Sequence, residues 1–194
     1  MNLIEIENVS FSYGEKPILR DFSLKLGKGE RICLSGQSGS GKTTLFRLIS
    51  GLEKPESGKI TLNGKIACLF QEDRLLPWRS ALGNLTLFGV PEERAAGVLA
   101  SLGISGADQK KFPSELSGGM NRRVAIARTI CVGGEILLLD EPFSGLDKST
   151  RKLAADLISR EFSDAAVIMI THIPEESELI GAEIVNFVPD GRAK

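Results

Sequence analysis

A glycine-rich turn between a short apolar strand and a helix restricts the fold more than any other feature of the sequence. Residues 36–43 read Gly-Gln-Ser-Gly-Ser-Gly-Lys-Thr and match the pattern G-x-x-x-x-G-K-[ST] at every fixed position. The order of apolar residues predicts a strand over Arg31–Ser35 and a helix over Thr43–Ile49. In that context the turn surrounds phosphate oxygens with backbone N–H groups, and the helix N-terminus adds a partial positive charge. The turn therefore predicts a phosphate-binding loop in an α/β domain.

Each residue of this loop, and the threonine after it, is a candidate contact for a nucleotide. Lys42 would reach the β- and γ-phosphates, and the Thr43 hydroxyl would ligate Mg²⁺. A flexible Gly/Ser turn with an exposed lysine is the alternative, and the flanking strand and helix argue against it. The predicted nucleotide-binding residues of the loop are Gly36, Gln37, Ser38, Gly39, Ser40, Gly41, Lys42, Thr43 and Thr44.

A second chemical signal follows a run of four apolar residues. Ile136–Leu139 is typical of a strand inside a parallel sheet, and Asp140 and Glu141 follow it directly. Ligands bind at the carboxyl ends of strands in open α/β sheets. We expect Asp140 to hold Mg²⁺ through water and Glu141 to polarise an attacking water molecule. The alternative is an ordinary strand end with two solvated acids, which the phosphate loop elsewhere in the chain disfavours.

Composition excludes several other classes of protein. Lys and Arg number 24 against 25 Asp and Glu, a net charge of −1, so no broad basic surface for nucleic acid is expected. Hydrophobic residues make up 42%, which is too many for a disordered chain. No apolar run approaches the roughly 20 residues that a membrane span needs. The three dispersed cysteines fit neither a disulfide framework nor a zinc site, so we expect small buried residues in a reducing compartment.

Strands and helices alternate along the chain, which is typical of an α/β domain with a mostly parallel core sheet. Leu3–Val9 alternates apolar and polar residues and predicts a strand in an antiparallel N-terminal part. Asn63-Gly64, between strands over Lys59–Leu62 and Ile66–Phe70, predicts a β-hairpin. We expect one domain over residues 1–194, with a small helical lobe at about residues 72–132. Further helices are predicted from Pro91, over Asn121–Val132 and over Lys148–Phe162 (Leu153, Leu157 and Ile158 at helical spacing), and further strands over Val167–Ile170 and Ile184–Val188.

A third glycine-rich signal lies between the phosphate loop and the acidic strand end. Leu116-Ser117-Gly118-Gly119-Met120 precedes the arginine-rich segment Arg122–Arg128. This run resembles LSGGQ, the signature motif of ABC-type ATPases, and lies between the two other motifs as in that family. A glycine-rich turn at a helix N-terminus is itself an anion site. In the family this turn contacts the ATP of a second subunit in a two-fold, head-to-tail pair. The resemblance therefore implies nucleotide contacts by Ser117, Gly118 and Gly119.

The resemblance extends from about Leu3 to Val188, and it implies a role for four more residues. Tyr13 resembles the aromatic residue that stacks on adenine, and Gln71 matches the glutamine that touches Mg²⁺ and the lytic water. Asp147 resembles the aspartate that crosses the dimer interface, and His172 matches the switch histidine that contacts the γ-phosphate. The implied catalytic residues are Glu141 as general base, His172, Gln71 and Lys42, and the implied metal ligands are Thr43, Gln71 and Asp140.

Two positions depart from the family pattern. Met120 replaces the usual glutamine of the signature, but Ser117 and the backbone donors remain. Ile173 follows His172 where the family usually has an acid, so the role of that acid does not carry over to this chain.

The segment Glu72–Trp78 after Gln71 resembles the same tract in nitrate, sulfonate and taurine import ATPases. An exposed Trp78 there would suit a permease anchor, and a tryptophan packed under its own loop is the alternative. The resemblance implies ATP hydrolysis coupled to import of a small solute, with the chain peripheral on the cytoplasmic side of the cell membrane. The implied partners are an integral membrane permease, a second ATPase subunit (identical or a paralogue) and a solute-binding protein. Specificity would reside in the permease, so the solute stays open.

Two alternatives come from different functional classes. A soluble ABC ATPase could act as a mechanical or assembly switch without a permease, although the nucleic-acid repair members of that kind carry large insertions that 194 residues do not accommodate. A nucleotide-binding module without turnover is the second alternative, and the presence of Glu141 and His172 argues against it.

Overall fold

The computed structural model describes residues 1–37 and 39–192, which form two sheets with helices around them. The antiparallel part contains β1 (Asn2–Tyr13), β2 (Lys16–Gly27) and β4 (Ser57–Leu62), with β9 (Asp190–Arg192) added in parallel to β2. Its strand order is β4-β1-β2-β9. The second sheet is wholly parallel, in the order β5-β6-β7-β3-β8. Its strands are β3 (Arg31–Ser35), β5 (Ile66–Leu69), β6 (Ile136–Asp140), β7 (Ala166–Ile170) and β8 (Glu183–Asn186).

Six α-helices are present in the described residues, and three of them lie between β5 and β6, where the sequence predicts a helical lobe. Short 3₁₀ turns at Gly106–Lys110 and Pro113–Glu115 connect that part. None of the helices in the described part of the chain combines the length and apolar character that crossing a bilayer requires. The helices are α1 (Lys42–Ile49), α2 (Ala81–Thr86), α3 (Glu92–Ser101), α4 (Gly118–Val132), α5 (Lys148–Glu161) and α6 (Glu175–Leu179).

The parallel sheet is covered on both faces, so its central strands send alternate residues into two apolar clusters. Leu137 and Leu139 of β6 join a cluster with the helices α2 to α5. Ile136 and Leu138 join a second cluster with α1 and the antiparallel sheet. Every residue of β6 and β7 is buried, and burying each large aliphatic side chain stabilises the fold by about 1.5–3 kcal/mol. The carboxyl ends of these strands therefore form a rigid platform for the loops that follow them.

The fold class predicted from the sequence is confirmed, but the predicted hairpin at Asn63-Gly64 is wrong. Its two strands belong to different sheets, since β4 pairs with β1 and β5 pairs with β6. The Asn63 amide donates to Asn2 O at 2.9 Å, and the backbone N–H of Lys65 donates to the Glu135 carboxylate at 2.7 Å. These contacts direct the chain from one sheet to the other, which local turn chemistry alone does not reveal.

Three smaller expectations also need correction. Leu153 is 45% exposed, because α5 packs through Ala154, Ala155, Leu157 and Ile158 instead. The helix expected from Pro91 begins one residue later, with Pro91 in the capping position. All three cysteines are free, but only Cys33 is buried, while Cys68 and Cys131 are half-buried. Burial nevertheless raises the pKa of the Cys68 thiol to about 11.

Gly58, at the bulge where β1 pairs with β4, allows a test of how closely the two strands pack in the antiparallel sheet. Gly58 has φ +80°, and a Cβ there would lie 2.3 Å from the backbone oxygen of Asn8. We expect Gly58→Ala to lower the free energy of unfolding by about 2–4 kcal/mol, because left-handed strain and a backbone clash add together. Gly51→Ala is the matched control, since Gly51 has φ +74° with nothing within 4 Å. Urea unfolding of both variants measures the difference, and equal losses would contradict the clash.

Candidate functional site

The phosphate loop leaves β3 and ends at α1, as the sequence predicts. Lys42 is 6% exposed, and its Nζ donates to the carbonyls of Gly36 and Gln37 at 2.8 Å each. Burial lowers the pKa of Lys42, and the nearby charges of Asp140 and Glu141 oppose that shift. Gly41 precedes α1 with φ +104°, and a Cβ there would lie 2.8 Å from Ile18 Cγ2. Glycine is therefore required for the close approach of this loop to β2. Ser38, also predicted to bind nucleotide, lies outside the described residues.

A cleft of about 250 Å³ opens above the carboxyl ends of the parallel strands. It brings together four of the predicted elements: the phosphate loop, the glutamine after β5, the carboxylates after β6 and the histidine after β7. Thr43 Oγ1 lies 3.5 Å from Asp140 Oδ2, so the hydroxyl and the carboxylate face the same space. The predicted site residues that line the cleft are Gly39, Gly41, Lys42, Thr43, Thr44, Gln71, Asp140, Glu141 and His172.

The two carboxylates at the end of β6 have different surroundings. Asp140 is 3% exposed, and burial raises its pKa, although the Thr43 hydroxyl and the charge of Arg122 act the other way. Glu141 adopts a left-handed backbone conformation with φ +48°. Its Oε1 is buried without a hydrogen-bond partner among the described residues and lies 3.4 Å from His172 Nε2. Burial raises the pKa of Glu141, with His172 opposing and Glu176 adding to the shift. A buried, unpartnered carboxylate oxygen that faces a cleft is suited to accept a proton.

A buried arginine that the sequence analysis did not single out forms hydrogen bonds with the two segments that carry Gln71 and the Asp140–Glu141 pair. The guanidinium of Arg122 in α4 is 3% exposed. On one side of the cleft it donates to the backbone carbonyls of Phe70 and Gln71. On the other side it donates to the backbone carbonyls of Asp140, Glu141 and Pro142. It also pairs with the Asp73 carboxylate at 3.0 Å. The signal in the sequence is helical spacing, which places Arg122 on the same face as the buried Ala125, Ile126 and Thr129.

The predicted signature residues do not join the cleft within this copy of the chain. Ser117 caps α4, and its hydroxyl accepts from the Met120 backbone N–H at 3.2 Å. Gly118 and Gly119 form the first turn of the helix. None of the three is among the described residues that line the cleft. The α4 N-terminus therefore offers its own anion-binding end, apart from the phosphate loop.

Two further predicted residues, Asp147 and Tyr13, are not among the described residues that line the cleft. Asp147 caps α5, where its carboxylate accepts from the backbone N–H groups of Ser149 and Thr150 at 3.0 Å each. Bonds from the hydroxyls of Ser149 and Thr150, together with those backbone bonds, hold the pKa of Asp147 well below its usual range. Tyr13 ends β1 with 43% of its surface exposed, and its ring packs edge-on against Phe11 at 4.9 Å. Tyr13 does not line the described cleft, whose β2 wall is Ile18.

The loop after Gln71 presents an exposed tryptophan. Trp78 is 69% exposed, so the alternative of a ring packed under its own loop is wrong. Asn84, which is 1% exposed, holds this loop by accepting from Leu76 N at 2.8 Å and donating to Arg79 O at 3.1 Å. Arg128 secures its start by donating to the carbonyls of Asp73 and Arg74. Trp78 therefore projects from a loop whose backbone is anchored on both sides.

A parallel sheet with a phosphate loop after β3 places the protein among the phosphate-loop nucleotide-binding domains. Within that class, residues 19–144 match the ABC transporter family. That match covers more than half of the chain, and the chain belongs to this family.

Two relatives that the chain resembles are named import ATP-binding proteins. The chain is 38% identical over 210 residues to the taurine import ATP-binding protein TauB of Pseudomonas putida, covering 98% of this chain and 80% of the relative. It is 37% identical over 190 residues to the aliphatic sulfonates import ATP-binding protein SsuB 1 of Paracoccus denitrificans, covering 94% and 78%. A dimeric, post-hydrolysis structure of the ATP-binding cassette MJ0796 bound to ADP and Pi matches with a TM-score of 0.85 at 26% identity, covering 98% and 97%.

These similarities confirm the prediction of an ATPase that couples nucleotide hydrolysis to membrane transport, in the importer class, over the soluble switch. They also confirm nucleotide binding, and they imply a membrane permease as partner and pairing with a second cassette.

The buried contacts of Arg122 lead to a test of how the site is assembled. We expect Arg122→Met to lower the free energy of unfolding by at least about 2 kcal/mol, because several buried carbonyls lose their donor. We expect the ATPase rate to fall as well, since the two sides of the cleft lose their common contact. Arg123→Met is the control on the same helix, because Arg123 donates to carbonyls of residues 102, 103 and 119 and not to the cleft. An Arg122→Met protein with wild-type stability and turnover would contradict this assembly role.

Proposed function

We propose that two copies of this chain close over two molecules of ATP and drive a permease that imports a small organic solute. The observation that carries this proposal is the cleft where Lys42, Asp140, Glu141 and His172 converge. A lysine and backbone donors on one side, and two carboxylates with a histidine on the other, suit the binding and hydrolysis of a nucleoside triphosphate. The chain would lie on the cytoplasmic face of the membrane, where ATP is available and a permease can be contacted.

Each part of the phosphate loop has a distinct task in this proposal. Backbone N–H groups of residues 39–44 would surround the β-phosphate, and the start of α1 would add its partial positive charge. The ammonium of Lys42 would turn from the carbonyls of Gly36 and Gln37 toward the β- and γ-phosphate oxygens. Tyr13 stacks on the adenine ring, which its exposed position at the end of β1 permits.

The donor atoms beside the loop fit Mg²⁺. The candidate ligands on the cleft wall are Thr43 Oγ1, Asp140 Oδ2 and the amide oxygen of Gln71. All three are oxygen atoms, the ligand type that Mg²⁺ takes. The described residues contain no group of three or more His, Cys, Asp or Glu that could hold a metal by themselves. The ion would therefore need water and phosphate oxygens to complete its coordination. Bound there, Mg²⁺ would supply charge neutralisation at the β- and γ-phosphates.

Hydrolysis in this proposal depends on Glu141 as general base. Its buried Oε1 accepts a proton from the attacking water, and the raised pKa favours that transfer. His172 would contact the γ-phosphate. Its Nε2 lies 3.4 Å from Glu141 Oε1, so the imidazole and the carboxylate could act on the same phosphate and water. Gln71 would orient the water and contact Mg²⁺ from the loop that Arg122 secures.

The second copy would complete each site. Ser117, Gly118 and Gly119 lie outside the cleft of their own chain, so they are available to the γ-phosphate in the partner's cleft. Met120 packs against the core of the helical part, which leaves the backbone donors of the turn in place. The Ser144–Asp147 segment would lie at the interface between copies. Loss of the γ-phosphate would then remove the contact that holds the pair closed.

The permease would dock on the loop that presents Trp78. An exposed aromatic side chain on an anchored loop beside the catalytic glutamine is suited to an interface anchor. Both relatives described above are named for sulfur-containing solutes, taurine and aliphatic sulfonates. A small sulfonate, delivered by a solute-binding protein, is therefore the solute class that we propose.

Replacing Glu141 tests the hydrolytic mechanism. We expect Glu141→Gln to lower kcat by about 10²–10⁴-fold, because the amide cannot accept the proton from water. ATP affinity should stay near that of the wild type, since the phosphate loop is unchanged. Steady-state ATPase assays and titration with a fluorescent ATP analogue measure the two quantities. Glu183→Gln, on the exposed surface of β8, is the control. Near wild-type turnover of Glu141→Gln would refute the general-base role.

Replacing Trp78 tests the docking surface. We expect Trp78→Ala to abolish recovery of a polytopic membrane protein in pull-downs from mild-detergent membrane extracts, while the ATPase rate of the free chain is retained. Leu153→Ala removes an exposed apolar side chain from α5 and should leave recovery intact. Identification of the recovered permease would also narrow the solute. Recovery of the permease by Trp78→Ala at wild-type yield would place the docking surface elsewhere.

A further inference from the structure

A buried polar cluster lies directly behind the switch histidine. Glu176, in the short helix α6, is 1% exposed, and Thr171, just after β7, is 8% exposed. The Thr171 hydroxyl donates to Glu176 Oε2 at 2.5 Å and accepts from the backbone N–H of Ile173 at 3.1 Å. His172 lies between Thr171, which carries this hydroxyl, and Ile173, whose backbone N–H donates to it. The hydroxyl therefore closes a small loop of backbone around His172.

The other oxygen of Glu176 faces a residue of α5. Arg151 NH1 lies 3.3 Å from Glu176 Oε1, and Arg151 NH2 donates to the Leu146 carbonyl at 3.4 Å. Leu146 belongs to the Ser144–Asp147 segment, which follows the carboxylates of β6. A continuous series of contacts thus runs from that segment through Arg151 and Glu176 to Thr171. We call these three side chains the Thr171–Glu176–Arg151 clasp.

Packing alone gives no reason for this cluster. Taking a carboxylate out of water costs several kcal/mol, and apolar residues of similar volume would fill the space at lower cost. The His172 side chain, by contrast, is 61% exposed, so few neighbouring side chains hold its ring. Its position near Glu141 Oε1 must come from the backbone of residues 171–173, which the clasp restrains.

We propose that Thr171, Glu176 and Arg151 are positioning residues that hold the His172 turn in its productive place and tie it to the Ser144–Asp147 segment. This inference rests on the role of His172 in the proposed function. The clasp touches neither nucleotide nor metal, so it acts on turnover through His172. A displacement of about 1 Å in a catalytic group can cost up to about 100-fold in rate.

Removing the Thr171 hydroxyl tests this inference. We expect Thr171→Val, which keeps the shape of the side chain, to lower kcat about 10–100-fold while ATP affinity stays unchanged. Thr171→Ser keeps the hydroxyl and should retain most of the wild-type kcat. Thr129→Val removes another buried hydroxyl, one bonded to the carbonyls of Cys68 and Ala125 away from the cleft, and should leave kcat unchanged. Steady-state kinetics, measured at a temperature below the unfolding midpoint of every variant, gives the comparison. A loss of packing alone would lower the free energy of unfolding and would leave kcat of the folded protein unchanged.

Glu176→Gln provides a second readout that does not depend on how well Thr171→Val folds. It keeps an oxygen for the Thr171 hydroxyl and removes the charge that faces Arg151, so an intermediate loss of kcat supports the clasp. Wild-type kcat in either Thr171→Val or Glu176→Gln, with His172→Ala inactive, would overturn the clasp and leave the proposed function standing. Full turnover by His172→Ala would instead overturn the role of His172 itself, and the clasp with it.

Discussion

The guanidinium of Arg122 is the contact on which the geometry of the site depends. Arg122 is a residue of α4, and its guanidinium donates to the carbonyls of Phe70 and Gln71 as well as to those of Asp140 and Glu141. These two segments lie at the ends of the adjacent parallel strands β5 and β6. Without a common donor, several buried carbonyls would lack partners, which costs about 1–3 kcal/mol each. Because Arg122 belongs to α4, which begins with the Ser117–Gly119 turn, the same helix links the surface that we propose for a second copy with the cleft.

Around that contact, the parallel sheet turns separate sequence motifs into one site. The strands β6 and β7 are buried throughout and β3 is buried in its centre, and each of the three ends at the same edge with a residue of the cleft at or beyond its end. Burial at this edge raises the pKa of both Asp140 and Glu141. Only Asp140 has the Thr43 hydroxyl beside it, whereas the Oε1 of Glu141 has no hydrogen-bond partner among the described residues. This difference in surroundings fits the roles that we propose, Asp140 as a metal ligand and Glu141 as a base.

The sequence was sufficient for the fold class and for the residues that line the cleft, because glycine-rich turns and strand-end carboxylates are local features with a fixed chemical meaning. It failed where long-range contacts decide the outcome. The Asn63-Gly64 turn has hairpin chemistry, but contacts with Asn2 and Glu135 send its two strands to different sheets. Arg122 and Glu176 are charged, and charged side chains are normally exposed to solvent. Composition and motif spacing therefore gave no reason to expect these two side chains to be buried. Their partners are backbone carbonyls and distant side chains, which only the folded chain identifies.

The central claim is that one copy supplies the phosphate loop, the carboxylates and the histidine, and a second copy supplies the signature turn. Light scattering combined with nucleotide quantification, on the Glu141→Gln protein with ATP and Mg²⁺, tests this claim most directly. The account predicts a species of two chains that retains two ATP molecules, and it predicts that Ser117→Arg in the same background prevents its formation. A single chain that binds ATP at saturation without pairing would contradict the claim.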